Sequence, residues 1–136
     1  MKTLGFFLTL IGMFISVIIL DYLWLGIITK KFIISQFGSL IKLENGNIKI
    51  NLSVGLITWM IIALGCLVFV VMPSETIKNA IMFGALFGFV TYSIYDLTNL
   101  TFISNYPIKF TLVDIVWGTI ICSLTSGIGF YLKNYF

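Results

Sequence analysis

The stretch Leu52–Met72, LSVGLITWMIIALGCLVFVVM, decides the fold, because it runs for the length of a membrane-spanning helix without a charged residue. A hydrocarbon core of about 30 Å requires roughly 20 apolar residues in a helix. Pro73 ends the stretch, and Ser74 and Glu75 favour the start of another helix. The sequence therefore predicts a transmembrane helix that is followed closely by a second one.

Three further apolar stretches flank this one. The first is longer than the roughly 7–15 apolar residues of a signal peptide and no A-x-A site follows it, so we expect a retained helix. A turn at Asn105–Pro107 separates the last two. We predict an all-α bundle of four transmembrane helices, forming one integral membrane domain over residues 1–136, with spans at about residues 5–28, 52–72, 77–101 and 110–132.

Composition excludes several classes of protein. Of the 136 residues, 60% are hydrophobic and only 10% are charged, whereas a soluble domain is about 25% charged. The chain has no histidine, which removes the commonest general base and metal ligand. Cys66 and Cys122 form no CxxC motif and are expected to be buried free thiols. The net charge of +3 comes from scattered lysines, so we expect no nucleic-acid partner.

The segment between the first two spans is mixed in character. Apolar residues recur at helical spacing among polar ones, which predicts a short amphipathic helix at the membrane interface. A turn is expected at Asn45-Gly46. The apolar positions are Phe32, Ile33, Ile34, Phe37, Leu40 and Ile41.

Lysines are distributed unequally between the two sides of the predicted bundle. One side holds Lys30, Lys31, Lys42, Lys49 and Lys109, and the side of the termini holds Lys2, Lys78 and Lys133. Because cytoplasmic loops are enriched in lysine and arginine, this bias predicts that both termini lie outside the cytoplasm.

Three acidic residues, Asp21, Asp96 and Asp114, fall inside predicted spans. An aspartate at the centre of a membrane helix costs about 2.5–3.5 kcal/mol, so we expect these side chains to face the interior of the bundle. Each lies within about 7–13 Å of the lysine-rich side by helix rise. The three carboxyl groups are therefore predicted to lie in one layer, in one half of the membrane.

Polar or aromatic residues lie one helical turn from each aspartate: Trp24 from Asp21, Tyr92 and Asn99 from Asp96, and Trp117 from Asp114. Side chains at these spacings share a helix face and could form a hydrogen-bonded network. The Gly84-x-x-x-Gly88 motif is expected to permit close helix packing. The predicted binding residues are Asp21, Trp24, Tyr92, Tyr95, Asp96, Thr98, Asn99, Asp114 and Trp117.

No lysine or arginine is predicted at the depth of the three aspartates. Three carboxyl groups without cations cannot all remain ionised, so one must share a proton with a neighbour or a bound cation must compensate. The alternative is that the aspartates are polar contacts that only hold helices together.

The same residues carry a resemblance to a family. The strings DYLWLG at 21–26, GALFG at 84–88, YSIYDLTNL at 92–100 and TLVDIVWGT at 111–119 resemble DUF2177, a family of small bacterial integral membrane proteins of unknown function. Thr101 stands where the family often has alanine. The resemblance implies a four-helix protein of the bacterial inner membrane and marks the same three aspartates. Such families occur beside genes for membrane-lipid modification, which gives a lipid-related role some weight by association.

Three functions remain open. The first is binding or transport of a cation, a proton or a small polar solute, with a homodimer expected because four helices make a narrow conduit. The second is a lipid-modifying enzyme or a lipid-binding accessory subunit, in which the carboxylates act as acid and base or hold a divalent metal at Asp21, Asp96 and Asp114. The absence of histidine weakens independent catalysis. The third is a structural or assembly protein. No cofactor can be assigned from the sequence.

Overall fold

The computed structural model describes residues 3–136 and consists almost entirely of helices. The elements, in chain order, are helix α1 (Thr3–Leu23), a π-helical turn (Trp24–Ile28), α2 (Lys30–Phe37), a 3₁₀ turn (Gly38–Leu40), strands β1 (Leu43–Glu44) and β2 (Asn47–Ile48), α3 (Leu52–Gly65), a π-helical segment (Cys66–Val71), α4 (Ile77–Phe102) and α5 (Ile108–Tyr135). Within the described residues, four helical stretches are long and apolar enough to cross a membrane: Thr3–Ile28, Leu52–Val71, Ile77–Phe102 and Ile108–Tyr135. The predicted all-α bundle is confirmed.

Two of the spans widen into π-helical turns that the apolar pattern did not predict. In the first span, the backbone N–H and the side-chain hydroxyl of Thr29 both donate to the carbonyl of Trp24 at 2.8 Å. A donor five residues beyond its acceptor is the hydrogen-bond pattern of a π-helix. The helix therefore ends at Ile28, and α2 begins at Lys30 after a bend at Thr29.

Helices α4 and α5 pack together through glycines. A Cβ atom added at Gly84 would lie 2.7 Å from the carbonyl oxygen of Cys122, and one added at Gly88 would overlap the backbone of Gly118. The prediction that the Gly84-x-x-x-Gly88 motif permits close packing is confirmed. Cys122 and Cys66 are free and buried, as expected.

An apolar core fills the half of the bundle nearer the termini. Its members come from α1, from Ala63 of α3, from the segment Cys66–Val71 and from α5. Large side chains with no exposed surface are Met13, Val17, Leu67, Val71 and Ile121. On the outer faces many large apolar side chains remain exposed, as expected for helices that contact lipid.

The segment between the first two spans folds against the bundle. Ile33 of α2 is buried, and the ring of Phe37 makes edge contacts with Tyr106 and Phe110. Strands β1 and β2 form a hairpin whose turn residues, Asn45 and Gly46, have positive φ values of 51° and 73°. The predicted amphipathic helix and turn are both confirmed.

The helix order places Lys30, Lys31, Lys42, Lys49 and Lys109 on one side of the bundle, which we call the lysine-rich side, and Lys78 and Lys133 on the other. Lys2, which also enters the predicted charge bias, lies outside the described residues. The Lys133 ammonium donates to the carbonyl oxygens of Val71 and Ser74, at 3.0 and 2.7 Å.

Gly88 provides a test of the α4–α5 packing. We expect Gly88→Ala to destabilise the protein by about 1–3 kcal/mol or more, because its methyl group would meet backbone that no rotamer change can move. Gly55→Ala is the matched control, since a Cβ atom there meets only the Trp59 ring at an ordinary 3.5 Å. Thermal unfolding in detergent measures both. Equal melting temperatures for the two variants would contradict the close approach.

Candidate functional site

Asp21 is the central residue of the layer that also contains Asp96 and Asp114, which we call the polar layer. Its side chain is buried, with 6% of its surface exposed. One carboxylate oxygen accepts a hydrogen bond from Nε1 of Trp117 on α5 at 2.7 Å, and the other accepts one from Nε1 of Trp59 on α3 at 2.6 Å. An indole N–H can only donate, so two of them suit a carboxylate that accepts at both oxygens. Asp21 thus joins three helices.

The third tryptophan lies in the same place. Trp24 stacks on Trp117, with ring centroids 4.4 Å apart and planes inclined by 6°. The chain has three tryptophans, and all three therefore contact Asp21 or the indole that donates to it. Trp117 donates across the bundle to Asp21, whereas the sequence spacing had paired it with Asp114 on its own helix. The rotation of each helix about its axis determines which side chain Trp117 can reach, and the spacing of residues along one helix does not predict that rotation.

Asp96 forms a second polar group near the end of α4. Its side chain has no exposed surface, and Oδ1 accepts a hydrogen bond from the hydroxyl of Tyr106 at 3.0 Å. Asn99 also interacts with the Tyr106 hydroxyl. Tyr106 lies in the loop between α4 and α5, outside the spans. Its burial and its hydrogen bond to Asp96 raise the pKa of the Tyr106 hydroxyl above its usual value, so the hydroxyl keeps its proton and remains a donor.

The other oxygen of Asp96, Oδ2, is buried and receives no hydrogen bond from any donor. The neighbouring acid is Asp114 on α5, whose side chain interacts with that of Asp96. Two carboxylates are both acceptors, so this contact requires a proton or a cation between them. Asp114 also interacts electrostatically with Asp21.

The three aspartates lie at a similar depth. Asp96 is six positions before the end of α4 and Asp114 is six positions after the start of α5, about 9 Å of helix rise in each case. Asp21 is seven positions before the end of the first span, at Ile28. The three acids thus share one depth, with Asp21 and Asp96 buried in the bundle and Asp114 partly buried, and their position in one half of the membrane stays a prediction.

A cavity of about 550 Å³ adjoins this layer. It opens sideways between α3 and α4, where the lining residues Ile61 and Tyr95 are 63% and 61% exposed on the outer surface. We call it the acidic cavity. Its lining is Asp21, Leu25, Phe37, Thr58, Ile61, Ile62, Phe87, Thr91, Tyr92, Tyr95, Tyr106, Phe110, Asp114, Trp117 and Cys122.

A second cavity of about 660 Å³ lies on the other side of Asp21. It extends from the hairpin at the membrane boundary down between α1 and α3, and we call it the interfacial cavity. At its mouth the ammonium of Lys30 donates to the side-chain oxygen of Asn47. Deeper lining residues include Ile18, Leu25, Leu56 and Trp59.

The predicted site residues divide into three groups. Five of them line the acidic cavity: Asp21, Tyr92, Tyr95, Asp114 and Trp117. Three others lie behind the lining and interact with it: Asp96 with Tyr106 and Asp114, Asn99 with Tyr106, and Trp24 with Trp117. Thr98 is exposed on α4 and lines neither cavity.

Two residues of the site were not predicted. Trp59 is in a span without charged residues, where its indole N–H needs an acceptor on another helix. That requirement is the one sequence feature from which a contact between Trp59 and a buried acid could be predicted. Tyr106 is in a turn, and nothing in the sequence pattern directs its hydroxyl toward Asp96.

Metal binding was one hypothesis for the three aspartates. Within residues 3–136, no three histidine, cysteine, aspartate or glutamate side chains converge closely enough to hold a metal ion. Asp21, Asp96 and Asp114 therefore do not form a three-carboxylate metal centre in this arrangement.

The two indole hydrogen bonds predict the effect of Asp21→Asn. An amide offers one acceptor oxygen, so one of the two N–H donors would face an amide N–H₂ and lose its partner. We expect a loss of about 1–3 kcal/mol in unfolding free energy, together with a changed tryptophan emission spectrum. Glu75→Gln, at an exposed position with no hydrogen bond in the described structure, is the matched control. Unchanged stability in Asp21→Asn would show that the indoles do not depend on this carboxylate.

Comparison with known proteins supports the resemblance seen in the sequence. No curated protein and no solved structure matches the chain. The sequence profile of one family, described as predicted membrane protein (DUF2177), matches residues 6–131, which include most of α1, all of α2 to α4, most of α5, and the three aspartates with their hydrogen-bond partners. The chain therefore belongs to the DUF2177 family of predicted membrane proteins.

Proposed function

We propose that this membrane protein binds a cation at the acidic cavity, beside Asp114 in the cavity lining and Asp96 behind it. The observation that carries the proposal is this pair of acids: the Oδ2 atom of Asp96 is buried and receives no hydrogen bond within residues 3–136, and the side chain of Asp96 interacts with that of Asp114. A cation beside the pair would supply the missing positive charge and would replace the shared proton.

The charges around the cavity support this proposal. Among residues 3–136 the one ion pair is Lys49–Glu44, on the exposed hairpin. Lys30 is hydrogen-bonded to Asn47 at the membrane boundary. No described basic residue lines the acidic cavity, so residues 3–136 provide no counter-ion for the carboxyl groups there.

The position of the cavity in the bundle favours binding of the cation from the lysine-rich side. The cavity lies in the half of the bundle near the lysine-rich side, and the apolar core of Met13, Val17, Leu67, Val71 and Ile121 fills the other half. Transport, as the finer form of the proposal, therefore requires that this core opens. We propose that the transporting unit is a homodimer, in a bacterial inner membrane, with the lysine-rich side in the cytoplasm and both termini outside.

Chemical modification can test cation binding directly. Dicyclohexylcarbodiimide reacts with protonated carboxyl groups in membranes, so we expect it to label Asp96 or Asp114. A bound cation displaces the proton, and we expect a panel of monovalent cations, inorganic and organic, to include at least one that slows the labelling more than tenfold. Mass spectrometry of the digested protein gives the labelled residue and the rate.

Two variants sharpen this experiment. Asp114→Asn removes one acidic group of the pair and is expected to abolish protection by cations, while Glu75→Gln should behave as the unchanged protein. Uptake of the protecting cation into proteoliposomes, and its loss in Asp96→Asn, tests transport separately. Labelling that no cation affects would refute the proposed function.

A second candidate function rests on the interfacial cavity. Its mouth carries a lysine ammonium at the membrane boundary, and its depth is apolar, which matches the phosphate and one acyl chain of a phospholipid from the surrounding bilayer. We propose lipid binding there as the alternative to cation binding, in keeping with an accessory role in lipid metabolism.

The lipid proposal predicts the effect of Lys30→Gln. We expect this variant to lose bound phospholipid at least tenfold in native mass spectrometry, because it removes the cation that faces the phosphate. Lys78→Gln, an exposed lysine on the opposite side, is the control. Equal lipid occupancy in the two variants would exclude a phosphate site at Lys30.

A further inference from the structure

The lining of the acidic cavity has an unusual composition for an ion site. Seven aromatic side chains surround it: Phe37, Phe87, Tyr92, Tyr95, Tyr106, Phe110 and Trp117. Two carboxyl groups, those of Asp21 and Asp114, are the only acidic groups in the lining, and no basic group is present. The wall thus combines negative charge with aromatic and aliphatic surface.

This combination distinguishes between classes of cation. An alkali or alkaline-earth ion is bound by several oxygen atoms that replace its water shell. Both oxygens of Asp21 already accept indole N–H groups, and no three acidic, cysteine or histidine side chains of residues 3–136 lie close enough together to hold a metal ion. An organic ammonium ion is weakly hydrated on its carbon atoms, and aromatic rings attract its charge.

The size of the cavity leads to the same class of ligand. Its volume of about 550 Å³ lies within the range of small-molecule sites, which is roughly 300–1,000 Å³. A proton shared by Asp96 and Asp114 would need none of this space, and a single inorganic ion would leave most of it unfilled. An amine with an apolar substituent would occupy both the acidic end and the aromatic walls.

We propose that the acidic cavity binds an organic ammonium ion, with its nitrogen beside Asp114 and its apolar substituent against the aromatic lining. The inference rests on the proposed function and names the chemical class of its cation. Entry is from the side, between α3 and α4, where Tyr95 and Ile61 lie at the opening. Asp21, held by Trp59 and Trp117, contributes a fixed negative charge at the inner end.

The three tryptophans make binding directly measurable. All three lie at or beside Asp21, so the tryptophan emission of the unmodified protein reports on this site. The probe is the benzyltrimethylammonium ion, called benzylammonium below, a quaternary ion that cannot form an amide with a carbodiimide-activated carboxyl group, and benzyl alcohol is a neutral counterpart with the same ring. Maltoside detergent and phosphate buffer keep other ammonium groups out of the sample.

We expect benzylammonium to change the tryptophan emission and to protect Asp96 or Asp114 from carbodiimide at concentrations at least tenfold below those of sodium or potassium. Benzyl alcohol should do neither at the same concentration. These comparisons use the unaltered protein, so they do not depend on whether a variant folds.

Variants then test the aromatic wall and the acidic end of the cavity separately. Tyr95→Leu is expected to weaken benzylammonium binding several-fold, as measured by the tryptophan emission. Tyr131→Leu, another exposed tyrosine that lines neither cavity, is the matched control. Asp114→Asn should lower benzylammonium affinity at least tenfold.

The outcomes separate the two proposals. Protection by sodium or potassium but not by benzylammonium would overturn the ammonium inference and leave cation binding intact. Equal responses to benzyl alcohol and benzylammonium would also overturn it, because the site would then select apolar shape without charge. Absence of protection by every cation would overturn both.

Discussion

The buried carboxylate of Asp21 is the constraint around which the four spans are arranged. Leaving such a charge in a membrane is expensive, and a charge-assisted hydrogen bond recovers about 1.5–3 kcal/mol. Two indole donors, from α3 and α5, must therefore reach α1 together. This requirement fixes the rotation of all three helices and leaves α4 to pack on α5.

The packing of α4 on α5 brings together a second set of acidic side chains, the pair Asp96 and Asp114. Gly84 and Gly88 allow the two backbones to approach closely, and the short loop between the helices keeps them antiparallel. Because Asp96 and Asp114 lie equally far from that loop, close packing brings their carboxyl groups together. The same close approach that builds the α4–α5 hairpin therefore creates a pair of acceptors that needs a proton or a cation.

Much of this could be predicted from sequence, because depth in a membrane follows from the length of chain between a residue and the helix end. The layer of Asp21, Asp96 and Asp114, and their orientation toward the interior, follow from helix rise and from the cost of charge in lipid. The partners do not follow, because the rotation of a helix about its axis depends on packing with all its neighbours. Trp117 was accordingly paired with Asp114, and the π-helical turn at Trp24 was not anticipated.

The contrast between the two acidic groups explains why the cavity is better suited to a ligand than to structural adhesion alone. If the aspartates served only to hold helices together, each carboxyl oxygen should have a donor, as both oxygens of Asp21 do. Asp96 has one donor, Tyr106, its second oxygen receives no hydrogen bond within residues 3–136, and its side chain interacts with another acid, Asp114. An asparagine at either position of the pair would satisfy that contact at lower cost, since its amide could donate to the neighbouring carboxylate. Asp114 also lines the aromatic cavity, and this arrangement is the reason that we propose cation binding rather than adhesion between helices alone.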